Sequence, residues 1–117
     1  AWSTSMGRVL LSHQPEEKLN DMLARTTMIR YTPQTISSVS KLRSELKAVR
    51  QQGYALNDQE LEMGLRSLAV PLYNAQGQVE AALNVGVHAG QVSAAELLER
   101  VLPELQKAAS ELTLLMR

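Results

Sequence analysis

The sequence predicts an α+β domain in which helices pack against an antiparallel sheet. Three observations predict it. Residues 3–52 carry helix caps and apolar spacings of three and four. Two alternating runs, 65–73 and 79–87, flank a Gly-containing loop. Residues 93–117 trace one long helical stripe. No internal repeat, low-complexity tract or linker interrupts this order.

Ser3-Thr4-Ser5 offers three N-caps for a short helix over Met6-Gly7-Arg8-Val9-Leu10-Leu11, whose apolar end should turn inward. Pro15 suits a first helical turn, and Glu16 and Glu17 complement the helix dipole. Leu19, Met22 and Leu23 then make a second amphipathic helix that fades near Arg25 or Thr26. Thr26 to Thr32 is rich in β-branched residues, and Pro33 pushes Thr32 toward an extended conformation, which predicts a short edge strand. Ser38 or Ser40 caps a longer helix with Val39, Leu42, Leu46 and Val49 on its apolar stripe, while Lys41, Arg43, Glu45, Lys47 and Arg50 stay wet. Gly53 sits where a left-handed cap is wanted, Tyr54-Ala55-Leu56 reads as a strand, and Asn57-Asp58 reads as the turn that closes it.

Leu65 to Tyr73 and Val79 to Val87, joined through Asn74-Ala75-Gln76-Gly77, form an antiparallel hairpin. Ser93 and Glu96 make a capping box. Leu97, Leu98, Val101, Leu102, Leu105, Ala108, Ala109, Leu112 and Leu115 follow as a stripe predicted to be buried to its end. Pro103, inside that stripe, should remove one backbone bond and bend the helix near Glu99.

The composition narrows the function. The 117 residues carry 12 Lys+Arg against 12 Asp+Glu, so no overall field draws the chain to nucleic acid or an anionic membrane. A chain this long buries ~65–70% of its unfolded surface, enough for one core. Without cysteine there are no disulfides, thiolate metal sites or cysteine nucleophiles. The longest uncharged run, Ala81 to Ala95, falls short of the ~20 apolar residues of a membrane span. The opening Ala1-Trp2-Ser3-Thr4 has no initiator Met and no targeting pattern, and reads as an internal cut, so the chain reads as a fragment.

The hairpin alternation is the most informative pattern. Leu68, Val70 and Leu72 alternate with Ser67, Ala69 and Pro71, and Val79, Ala81, Leu83, Val85 and Val87 alternate with Glu80, Ala82, Asn84, Gly86 and His88. One face is aliphatic and the other is small, with Ser67 and Asn84 as its polar groups. A merely wet second face is common in antiparallel sheets, but such faces usually carry Lys, Thr, Glu or Arg. Small side chains leave room, and a lone hydroxyl and amide give direction, which describes a ligand cup. The first turn at Ser5, Met6 and Gly7 adds unpaired N–H donors for a carboxylate. Gly7 either permits close approach to the backbone or is a packing glycine.

Catalytic patterns are missing. His13, His88 and several Ser form no nucleophile elbow or triad spacing. There is no HxxxH, HExxH, carboxylate-rich ion loop or Gly-rich phosphate loop, and Asp58-Gln59-Glu60-Leu61-Glu62 reads as a solvated turn. Basic residues lie dispersed on wet helix faces without aromatic interleaving, unlike a nucleic-acid surface.

Thr4-Ser5-Met6-Gly7-Arg8, Gly53-Tyr54-Ala55-Leu56, Asp58-Gln59-Glu60, Gly64-Leu65-Arg66-Ser67-Leu68-Ala69-Val70-Pro71 and Ala81-Ala82-Leu83-Asn84-Val85, in that order, resemble the C-terminal effector-binding domain of IclR-family transcriptional regulators. The wording is most similar to the branch that senses protocatechuate, 4-hydroxybenzoate and β-ketoadipate. The resemblance implies a GAF-like effector-binding domain over residues 1–117, without its own N-terminal portion and without the family's winged helix-turn-helix. It also implies a cytoplasmic homo-dimer or tetramer that contacts DNA only through that absent domain, with no membrane, metal or cofactor. The implied ligand positions are the backbone at Ser5 and Met6, then Asn57, where some relatives carry an acid, and Ser67, where many carry Cys. Asn84 and Gly86 on the following strand complete the set.

Two functions follow as expectations. The first is a sensor of a small aromatic or dicarboxylic acid that modulates DNA binding and transcription of aromatic catabolism genes. The second is an oligomerisation module with a vestigial pocket, its last helix partly facing a partner. An enzyme is a distant third for want of a turnover-competent constellation.

Overall fold

The computed structural model describes residues 3–116, with the side chain of Met116 left aside. Helix α1 (Ser5–Ser12) starts at Thr4, whose Oγ1 accepts the Gly7 N–H at 3.0 Å. Helix α2 (Glu16–Ala24) follows Pro15 and carries Glu16 and Glu17 in its first turn, as the dipole favours. Helix α3 (Val39–Gln52) is capped by Ser38, which accepts the Lys41 N–H at 3.3 Å, and ends at Gly53, whose φ of 81° is the left-handed C-terminal geometry. Between α2 and α3 the expected edge strand is not formed. Thr26, Thr32 and Thr35 spend their hydroxyls on the backbone carbonyls of Met22, Gln59 and Glu60, so side-chain bonds, two of them to the β1–β2 connection, stand in place of a ladder.

Strands β1 (Ala55–Asp58), β2 (Leu65–Tyr73) and β3 (Val79–His88) form an antiparallel sheet in the order β1-β2-β3. Asn57 and Asp58, expected in a turn, are paired strand residues opposite Ser67 and Arg66. The hairpin forms as expected: Asn74 Oδ1 accepts the N–H groups of Gln76 and Gln78, and Gly77 supplies a φ of 77°. Register matters most for the site. It aligns Asn57, Ser67 and Gly86 in one row across the three strands, and Ala55, Ala69 and Asn84 in the next row of the same face.

Both faces of the sheet are covered. On one, Ala55, Ala69 and Ala82 lie against Val9 of α1 and Val49 of α3, small residues letting the helices approach closely. Leu11, Leu23, Leu42 and Leu46 extend this layer between α1, α2 and α3, and each buried Leu contributes about 1.5–3 kcal/mol. On the other face, Val70, Leu72, Ala81 and Leu83 meet Leu102, Leu105 and Ala109.

The last segment comprises α4 (Ala94–Glu96), a π-helical turn (Leu97–Val101) and α5 (Leu102–Met116). Ser93 caps it by accepting the Glu96 N–H at 3.1 Å. The π turn is the form that the expected Pro103 defect takes. Pro103 has no N–H and crowds the carbonyl of Glu99, and the Leu102 N–H reaches back to Leu97 instead. The stripe is not buried to its end: Leu112 is exposed and Leu115 is 82% exposed, as is Leu114 beside the stripe at 68%. Among the described residues, no helix is long and apolar enough to cross a membrane.

Candidate functional site

The N-terminus of α1 stands over the row Asn57–Ser67–Gly86, and the space between is a hollow of about 200 Å³. Thr4, Ser5 and Met6 form one wall, Asn57, Ser67, Asn84 and Gly86 the sheet side, and Leu61 and Leu65 the far rim. Six of the seven residues singled out from the sequence thus line one cavity, although they come from α1 and all three strands.

Each contributes differently. Among the described residues, the Ser5 and Met6 N–H groups have no partner, as expected for the first turn, and they sit at the positive end of the helix dipole. Ser67 donates its hydroxyl to Ser5 Oγ at 3.0 Å, leaving Ser5 its own hydroxyl hydrogen to give. Asn84 is exposed, and its amide has no partner among the described residues. Gly86 contributes space: a Cβ there would meet nothing within 4 Å. Met6, Leu61 and Leu65 add exposed apolar surface around these donors.

Two of the seven have other duties. Asn57 is buried with both ends of its amide engaged: Nδ2 donates to the Ser3 carbonyl and Oδ1 accepts the Glu60 N–H at 3.2 Å. It lines the wall with one amide N–H spent on Ser3 and its oxygen on Glu60, which leaves the second amide N–H. Gly7 is buried within α1, outside the hollow, and its N–H is committed to the Thr4 cap. Its N–H closes the cap, and the donors left over are those of Ser5 and Met6.

The sequence reading missed the strongest polar interaction beside this hollow. Arg8 is fully buried and forms a two-pronged bond with Glu60, Nη1 to Oε2 and Nη2 to Oε1, both at 2.7 Å. Glu60 Oε1 also accepts the Ile36 N–H at 3.2 Å. The 58–62 stretch is solvated only in part: Leu61 and Glu62 are exposed in a bend, but Glu60 is buried, and Asp58 accepts from Arg66 Nε at 2.9 Å. A signal did exist, because Arg8 falls on the same helix stripe as Ser5, Val9 and Ser12, where a charge requires a partner.

The other polar side chains stay structural. His13 ends α1, its Nδ1 within 3.0 Å of Ser12 Oγ and 3.1 Å of the Val9 carbonyl, whereas His88 ends β3. No group of three or more metal-ligating side chains occurs among the described residues. A larger hollow, about 310 Å³, lies between the end of α1, α2 and α3; Glu16, Arg43, Lys47 and Arg50 on its walls are exposed, and its buried Ser12 spends its hydroxyl on the Val9 carbonyl at 2.8 Å.

Residues 1–114 match the family described as bacterial transcriptional regulator IclR C-terminal. The chain belongs to the IclR C-terminal family. It is 46% identical over 112 residues to the Pca regulon regulatory protein of Pseudomonas putida, covering 96% of this chain and 38% of that protein. It is 40% identical over 112 residues to the p-hydroxybenzoate hydroxylase transcriptional activator of Acinetobacter baylyi, covering 96% and 41%. Among solved structures, the PobR inducer-binding domain of Acinetobacter, a double mutant in complex with 3-hydroxybenzoic acid, superposes with a TM-score of 0.91 at 39% identity. That match covers 95% of this chain and 63% of that one. A Rhodococcus transcriptional regulator gives a TM-score of 0.96 at 36% identity, covering 98% and 47%. The fold is thus the α+β, GAF-like effector-binding fold of IclR regulators, and these relatives are regulators by name. This IclR chain spans about two fifths of the length of the curated relatives it matches.

Proposed function

We propose that this chain is the sensing domain of an IclR-type transcriptional regulator, taking a small aromatic or dicarboxylic acid of the protocatechuate, 4-hydroxybenzoate or β-ketoadipate type. The observation that carries the reading is the convergence of Ser5, Met6, Ser67, Asn84 and Gly86 on one hollow of about 200 Å³. The carboxylate is assigned to the Ser5 and Met6 N–H groups and the Ser5 hydroxyl, where charge-assisted bonds at a helix terminus favour an anion. Asn84 orients a ring hydroxyl or second carboxylate, and Met6, Leu61 and Leu65 cover the apolar part. The PobR inducer-binding domain bound to a hydroxybenzoate supports the choice of acid.

The regulatory output belongs to the proposal too: a cytoplasmic homo-dimer or tetramer, acting on aromatic catabolism genes through a winged helix-turn-helix outside these residues. Signalling requires the acid to bind two arrangements of the assembly unequally. Calorimetry and thermal melting with the three named acids, against benzamide as a neutral control, test the reading. Heat and a raised melting temperature with at least one acid are expected; silence from all three overturns it.

A second reading, an oligomerisation module, draws on the exposed Leu112, Leu114 and Leu115 of α5. Sedimentation of Leu112→Glu decides it. A monomer that still binds acid would separate assembly from sensing.

A further inference from the structure

We infer that the buried Arg8–Glu60 pair is the positioning device of the acid site, locking the α1 wall of the hollow at a fixed distance and roll from the β1–β2 wall. The inference rests on the acid-sensing reading of that hollow and specifies how its geometry is held.

The two walls are remote in sequence. Ser5 and Met6 precede Arg8 on α1, and Glu60 immediately precedes Leu61 on the opposite rim. Fifty-two positions separate the pair, yet their side chains meet in a two-pronged bond at 2.7 Å on both arms. A planar guanidinium held at two points fixes direction as well as distance, so α1 can neither slide nor turn about its axis without breaking an arm. That constraint is what the Ser5 and Met6 N–H groups need, since a free donor serves a carboxylate only if aimed correctly relative to Asn84 across the hollow.

Glu60 is itself braced from three sides. Its N–H is held by Asn57, its Oε1 takes the Ile36 N–H, and its carbonyl accepts from Thr35 Oγ1. The preceding Gln59 adopts a φ of 59°, a left-handed conformation unusual for a residue with a side chain, and its carbonyl accepts from Thr32 Oγ1 at 2.6 Å. The chain thus takes an unfavoured backbone turn in order to send Glu60 inward. A buried ion pair gives little net stability over an apolar pair of equal volume, which leaves geometric specification as its contribution.

The test uses Arg8→Lys, which keeps the charge and loses the fork, and the double variant Arg8→Met with Glu60→Gln, which leaves no buried charge and retains the acceptor for Ile36. Acid affinity is measured by calorimetry with whichever of the three acids binds wild type most tightly. Amide hydrogen exchange is followed in segments 3–11 and 57–65, with segment 104–111 of α5, on the opposite face of the sheet, as reference. The expected result for both variants is a Kd raised about tenfold, the scale of one misaimed charge-assisted bond, with faster exchange in the two wall segments and unchanged exchange in the α5 segment. A Kd within twofold of wild type, or a change in only one of the two readouts, overturns the inference. Should Arg8→Lys fail to fold, the double variant carries the test on the same readouts. Absence of binding to wild type sinks the acid-sensing reading instead, and the clamp is then judged by the exchange arm alone.

Discussion

The small-residue face of the sheet has two ends that look alike in sequence and differ in the folded chain. At one end Ala55, Ala69 and Ala82 are covered by Val9 and Val49, so smallness there serves close packing. At the other, Ser67 and Gly86 lie under the open first turn of α1, with Asn84 reaching in from the row beside Ala69, and smallness leaves a hollow. Alternation alone does not distinguish a packed surface from a cup. What distinguishes them is where the covering helix begins: α1 starts at Ser5, so its body lies over the alanines and its unpaired N–H groups over the serine and glycine.

That contrast can be broken at either end. Ala69→Leu should be the most damaging change, costing about 3 kcal/mol through overpacking between sheet and helices, read as a lower denaturation midpoint with an unchanged slope. A cost under about 0.5 kcal/mol, the size of an ordinary surface change, would mean the alanine end is not closely packed. Gly86→Val at the open end should alter stability by no more than about 0.5 kcal/mol, because its Cβ has space. The same variant should weaken acid binding about tenfold by occupying the hollow, equivalent to about 1.4 kcal/mol. Equal affinity in calorimetry would move the ligand elsewhere. Thr4→Ala removes the cap that fixes the α1 start and should cost about 1 kcal/mol in thermal or denaturant melts. The mildest change is Ser67→Ala, which loses one hydroxyl bond to Ser5 and should shift stability by under about 1 kcal/mol. A larger loss would show that the serine pair holds the fold and not merely the hollow.

Much of this arrangement was readable from local chemistry. Ser38, Gly53 and Ser93 cap where their side chains or backbone freedom require, and the hairpin closes on Asn74 and Gly77. Errors arose where a distant partner decides the outcome. Asn57 and Asp58 have turn chemistry but pair with β2, and Asn57 spends its amide on Ser3 and Glu60. The threonines near residue 32 have strand propensity, yet their hydroxyls find carbonyls in the β1–β2 connection. Glu60 looked solvated because its partner, Arg8, stands fifty-two positions away. In the last helix, a single helical period was extended through the π turn before Pro103 and past the sheet, so Leu115 was expected inside and lies outside.

Amide chemical-shift mapping tests the central claim most directly, with 4-hydroxybenzoate titrated into the isotope-labelled chain and protocatechuate and β-ketoadipate run in parallel. The account predicts saturable shifts largest at Ser5 and Met6, accompanied by Ser67, Asn84 and Gly86. Shifts concentrated instead on Leu19, Leu46 and Lys47 of the α2–α3 hollow, or none with any of the three acids, would contradict it.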